Sequence, residues 1–71
     1  MSRATILVRV NGEDHEVAED LTVDGFLRSL QLHPAMVVVE RNGDILRRER
    51  YLEVLVENGD ALELVHFVGG G

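Results

Sequence analysis

The chain closes on Asn58-Gly59-Asp60-Ala61-Leu62-Glu63-Leu64-Val65-His66-Phe67-Val68-Gly69-Gly70-Gly71, and the reading of this stretch decides the fold. Asn58-Gly59-Asp60 is turn chemistry, and the residues from Ala61 to Phe67 then alternate as a strand does. Leu62 and Leu64 point to one side of a sheet, while Glu63, Val65 and Phe67 point to the other. Glycines at 69, 70 and 71 end the run. Glycine adds no side chain to a core and loses the most conformational freedom when ordered, so packing does not explain such an ending. The tail is either slack or a working part.

Composition sets the limits around that strand. At 71 residues the chain makes one domain, and a domain of this size buries only about 60–65% of the surface its unfolded form exposes. Its stability should be of order 4–10 kcal/mol, from about 0.05–0.15 kcal/mol per residue. That leaves one modest core and no deep active-site cleft. There is no cysteine, which excludes a disulfide framework and a thiolate metal site. A hydrophobic fraction of 45% beside 28% charged residues marks a folded domain rather than a disordered one. The run Ala35-Met36-Val37-Val38-Val39 is far too short to span a bilayer, and Met1-Ser2-Arg3-Ala4 leads into a strand without a signal-peptide apolar region, so a cytoplasmic chain is expected. Net charge of −6 argues against a nucleic-acid partner and suits partners with basic docking surfaces. All seven basic residues are Arg. GC-rich codon use accounts for that, and so does a C-terminus that becomes an activated acyl group and gains from having no lysine amine near it.

Upstream of the closing stretch, Thr5-Ile6-Leu7-Val8-Arg9-Val10 places Ile6, Val8 and Val10 on one face, and Asn11-Gly12 turns it into a shorter returning strand at about His15 to Ala18. A helix follows, with Thr22 as N-cap, Asp24 in the first turn, and Val23, Phe26, Leu27 and Leu30 along one stripe. Leu21 before the cap suits a hydrophobic staple onto Phe26. Gly25 weakens the helix by roughly 0.5–1 kcal/mol relative to Ala. His33-Pro34 should end it. Met36 to Arg41 reads as a central strand because its apolar residues do not alternate. Asn42-Gly43-Asp44 turns into Ile45-Leu46, and Arg47 to Tyr51 reads as a polar surface turn anchored by Tyr51. Leu52 to Glu57 carries no pattern that assigns it. The sum is an α+β domain with a mixed sheet of four to five strands and one helix on one face, over residues 1–67, with 68–71 as a flexible tail. Val65, Phe67 and more weakly Val38 should emerge on the uncovered face, where gathered apolar residues mark a protein interface.

Catalytic machinery is missing from the sequence. There is no phosphate-cradling glycine loop, so no nucleotide site of its own is expected. His15, His33 and His66 are far apart with no i,i+4 pair, so no metal site is expected either. Ser2 and Ser29 stand in no nucleophile context, and Glu19-Asp20 is a solvated turn pair. The chain does not read as an enzyme. A terminal carboxyl, with a pKa of about 3.5, is an unreactive carboxylate at neutral pH. Activating it takes ATP held by another protein. From Phe67 to Gly71 an extended chain reaches roughly 13–14 Å, at about 3.3–3.6 Å per residue. Without Cβ atoms it can thread a channel too narrow for side chains.

The closing stretch from Asn58 to Gly71, with Val37-Val38-Val39-Glu40-Arg41-Asn42-Gly43, Arg48-Glu49-Arg50-Tyr51 and the helix opening Thr22-Val23, resembles the ThiS family of sulfur carriers in thiamine biosynthesis. The resemblance implies a ubiquitin-like β-grasp fold with first and last strands parallel at the sheet centre. It also implies a cycle in which a ubiquitin-activating-type (ThiF-like) adenylyltransferase uses ATP and Mg²⁺ to adenylate Gly71. Sulfur from a cysteine desulfurase then makes a thiocarboxylate, and a ThiG-like thiazole synthase receives it. Gly70, Gly69 and Val68 would enter both partners' sites, and Phe67, Val65 and Glu63 would contact them. The carrier itself would bind no cofactor. Relatives that serve molybdopterin synthase or tRNA thiolation, protein modifiers of the ubiquitin kind, and a binding module with an idle tail are the alternatives to this reading.

Overall fold

The structure, a computed structural model, describes residues 4–67. Strand β1 (Thr5–Val10) turns through Asn11 and Gly12, both at positive φ, into β2 (Glu13–Ala18). Positive φ at both central positions is what the twist of a two-residue hairpin demands, and Asn-Gly supplies it at least cost. The returning strand begins two residues earlier than its sequence pattern suggests, because Glu13 and Asp14 pair with Val10 and Arg9 although neither is apolar. After β2 comes helix α1 (Val23–Ser29), then a 3₁₀ turn (Pro34–Met36), β3 (Val37–Arg41), β4 (Asp44–Leu46), a second 3₁₀ turn (Arg48–Arg50) and β5 (Ala61–His66). The five strands lie in the order β2-β1-β5-β3-β4, with β1 and β5 parallel and the other neighbours antiparallel. This is the β-grasp arrangement that the resemblance implies.

Helix α1 packs on one sheet face. Val23, Phe26 and Leu27 close over Val8, Val10, Val37, Val39 and Leu62, with Tyr51 and Val56 completing the buried core. Its start follows the expected chemistry, since the Thr22 hydroxyl accepts from the Gly25 N–H at 3.0 Å. Its end does not. The helix stops at Ser29, before Pro34, because Gln31 turns left-handed (φ 63°) and Leu32 N–H bonds back to the Leu27 carbonyl, with Gln31 N–H on that of Arg28. That is a Schellman stop, and it satisfies the last carbonyls without the proline. Pro34 instead opens the 3₁₀ turn, which takes Met36 out of the strand expected to begin there.

β3 is also not the central strand. Val37 and Val39 are buried while Val38 is half-buried, so the run does alternate, and β5 holds the middle of the sheet. The unassigned stretch after Tyr51 has a different task. The Tyr51 and Val54 carbonyls accept the first helical N–H groups, from Asp24 and Val23, and Val56 N–H bonds to the Leu21 carbonyl. Its hydrogen-bond partner is a helix end rather than a strand, so neither strand nor helix periodicity marks it.

Candidate functional site

Because a strand's side chains alternate, β5 sends Leu62 and Leu64 toward α1 and leaves Glu63 and Val65 on the uncovered face. Val65 is 57% exposed and Phe67, just past the strand, 50%. Val38 lies directly opposite Val65 across the β3–β5 ladder. The three apolar residues singled out from alternation are thus on one face, near the end of the sheet where the chain leaves it. The last described ladder bond runs from Phe67 N–H to the Met36 carbonyl at 2.8 Å. Val68, Gly69, Gly70 and Gly71 lie outside the described residues.

Two further apolar residues share this face. Ile45, 64% exposed, is paired with Glu40 on β4, and Leu7, 51% exposed, stands on β1 beside the turn that enters β5. Leu7 was readable as the outward member of the Ile6-Val8-Val10 alternation, and Ile45 as the outward residue after the Asn42-Gly43 turn. Neither lies on the strand that leads into the tail, and the alternation of that strand is what marks Val65 and Phe67.

The centre of the face is acidic. Glu63 is directly opposite Glu40, and no described cation lies within ion-pairing distance of either. Like charges facing each other across a ladder work against the sheet. Arg9, on the same face, is held by Asp14 at 3.3 Å.

β5 itself is held at its start and middle by side chains whose first duty is a turn. Asn11 Oδ1 accepts the Leu64 N–H, and Asn42 Oδ1 accepts the Ala61 N–H, each at 2.8 Å. Asp60, 5% exposed, fixes the entry to the strand. Its carboxylate accepts from Arg41 Nε at 3.0 Å, Asn42 Nδ2 at 3.0 Å and the Glu57 N–H at 2.9 Å. Burial pushes this carboxyl up, but the Glu57 N–H, the Asn42 amide and the Arg41 guanidinium outweigh it and hold it below the ordinary aspartate value. The result is a strand pinned firmly at its start, the end away from the tail.

The histidines do not converge. His15 faces Val8 from β2, His66 pairs with Val37 at the other end of the sheet, and the His33 ring accepts the Ala35 N–H at a 3₁₀ start. No group of metal-ligating side chains is assembled among the described residues. What this arrangement can do is present a surface and a chain end.

A sequence model of the ThiS family matches residues 8–71. The sulfur carrier protein ThiS of Bacillus subtilis (strain 168) is 44% identical over 66 residues, covering 92% of this chain and 100% of that protein. A thiazole synthase of Magnetococcus marinus is 39% identical over 64 residues, which is 90% of this chain but only 20% of that protein. The crystal structure of the thiamine biosynthesis protein ThiS from Geobacter metallireducens superposes with a TM-score of 0.78 at 39% identity, covering 93% of this chain and 100% of that one.

Proposed function

The chain belongs to the ThiS family, and from that premise we infer that it is a sulfur carrier of thiazole and thiamine biosynthesis whose reactive group is the carboxylate of Gly71. It is a protein substrate of other enzymes rather than an enzyme. Carriers of this family work with ThiF-type adenylyltransferases and ThiG-type thiazole synthases. The observation that carries the reading is that the family match runs through the terminal glycines to Gly71, on a fold whose central strand leads the chain off an exposed apolar face.

The chemistry follows from the weakness of a carboxylate. An oxygen of Gly71 attacks the α-phosphorus of ATP in the adenylyltransferase, pyrophosphate leaves, and an acyl-adenylate remains. The terminal sulfur of a desulfurase persulfide attacks the acyl carbon, AMP leaves with its electron pair, and a thiol cleaves the resulting S–S bond to give the thiocarboxylate. That sulfur is ionised and nucleophilic, so it can attack an electrophilic carbon in the thiazole synthase. A carrier without cysteine offers no thiol of its own to capture the persulfide. Because the cycle needs ATP and reducing thiols, we place it in the cytoplasm.

Val68, Gly69 and Gly70 would thread the partners' channels, with Phe67, Val65 and Val38 seated on their surfaces and Glu63 facing a basic group. Val65→Asp with Phe67→Asp should raise the KM for the carrier in adenylation by about tenfold or more while the domain keeps its fold, since both side chains are already in water. Steady-state kinetics beside a thermal melt checks it. An unchanged KM would remove the face from the interface.

A further inference from the structure

With 13 acidic and 7 basic residues in the chain, every cation has carboxylates to choose from. Arg9, Arg28, Arg41, Arg47 and Arg50 each lie within 3.5 Å of one. Arg48 is the exception among the described arginines: its neighbour Glu49 is taken by Arg47 at 3.1 Å, and no other described carboxylate comes within ion-pairing distance. It stands exposed at the start of the second 3₁₀ turn. Together with Val38, Ile45, Leu46, Arg47, Tyr51 and Glu49, whose carboxylate Arg47 already holds, it lines a shallow groove of about 280 Å³. The groove has a firm wall, since the Tyr51 hydroxyl donates to the Val37 carbonyl at 2.9 Å inside the core.

Val38 belongs both to this groove and to the apolar face, where it pairs with Val65. Continuing the β3–β4 register from Val39↔Leu46 sets position 47 beside Val38. That is two strand spacings, roughly 10 Å, from Val65. A partner that covers about 800 Å² of the carrier while holding its tail reaches this corner as well.

We propose that the groove is a second docking point, in which the ThiF-type adenylyltransferase seats an aliphatic side chain between Val38 and Ile45 and sets an Asp or Glu carboxylate against Arg48. The proposal rests on the carrier reading above. The adenylyltransferase is the occupant because relatives named thiazole synthase hold a segment like this chain within their own length, which makes that encounter intramolecular there. The activating enzyme must capture its carrier from solution. The charge layout gives the contact its purpose. Asp14 and Glu16 lie toward the β2 edge, Glu63 and Glu40 at the centre, and the unpaired cation at the β4 edge. An apolar patch alone leaves the sheet free to rotate about its tail. A partner with the complementary order of charges accepts it one way round, and the tail then enters its channel in register.

The test is steady-state adenylation of the full chain by its cognate adenylyltransferase, read as pyrophosphate release. Arg48→Glu should raise the KM for the carrier about tenfold with kcat changed by less than about twofold, and Arg48→Lys should recover most of the loss. The melting temperature should move little, because Arg48 is exposed and no described carboxylate is within ion-pairing distance of it. Arg50→Glu makes the same change of charge on the same turn outside the groove and should cost much less. A KM for Arg48→Glu within about twofold of the unaltered chain, or an equal loss for Arg50→Glu, overturns the proposal. A defect confined to sulfur transfer to thiazole synthase overturns the choice of partner. Failure of the unaltered chain to be adenylated at all would instead remove the carrier reading.

Discussion

Asp60 is the one charged side chain that the described fold takes out of water, and the consequence can be measured. Its pKa in the folded state lies below the ordinary 3.8, so the stability it contributes is fully present above that value and is lost as pH falls through the lowered one. The unaltered domain should therefore lose stability on acidification below about pH 4, and Asp60→Asn should flatten that slope in urea titrations at successive pH values. Asp60→Ala leaves Arg41 Nε, Asn42 Nδ2 and the Glu57 N–H without their acceptor and should cost about 3 kcal/mol near neutral pH. Gly25 works in the other direction. A methyl group there would meet Thr22 Oγ1 at 3.4 Å and Leu21 Cδ2 at 3.5 Å, which is ordinary contact. Gly25→Ala should thus stabilise the domain by about 0.5–1 kcal/mol in the same titration, an amount set by helix propensity. The weakness of Gly25 was legible in the sequence. The role of Asp60 was not, because a buried carboxylate and a solvated turn residue are spelled the same way in Asn-Gly-Asp.

At the scale of elements, the strands legible in the sequence are those whose pattern reports a single environment. Alternation separated Leu62 and Leu64 from Val65 and Phe67 correctly, and all three Asn-Gly turns fell where their dipeptides mark them. The failures share a physical cause. The helix end, the stretch after Tyr51 and the second duty of Asn11 and Asn42 all depend on where an N–H or carbonyl finds its partner, which is distant in sequence for all but the helix end, where a left-handed Gln31 makes the stop and no glycine marks it. Asn42→Ala should show the difference between the two duties. It removes the turn preference together with the side-chain bonds to Ala61 N–H and Asp60, whereas Asn42→Gly keeps the turn and loses only those two bonds. The first should cost more than the second, by about 1 kcal/mol in thermal or urea unfolding.

Taken whole, the molecule is a small α+β domain that covers one sheet face with its helix and leaves the other uncovered. Its central strand is pinned at the start by Asp60, flanked by two asparagine side chains, and ends beside an exposed apolar patch. A rigid lead into a glycine end suits a substrate that must deliver one carboxylate into two different enzymes. Removing Gly71 should abolish sulfur loading while leaving the melting temperature unchanged, because the buried core is built from residues between Val8 and Leu62. The most direct measurement is the intact mass of the full chain after incubation with its adenylyltransferase, ATP, Mg²⁺, cysteine desulfurase, cysteine and a thiol reductant. One oxygen of the Gly71 carboxylate should be replaced by sulfur, located to that residue by fragmentation. A mass that stays unchanged with every component active would contradict the account.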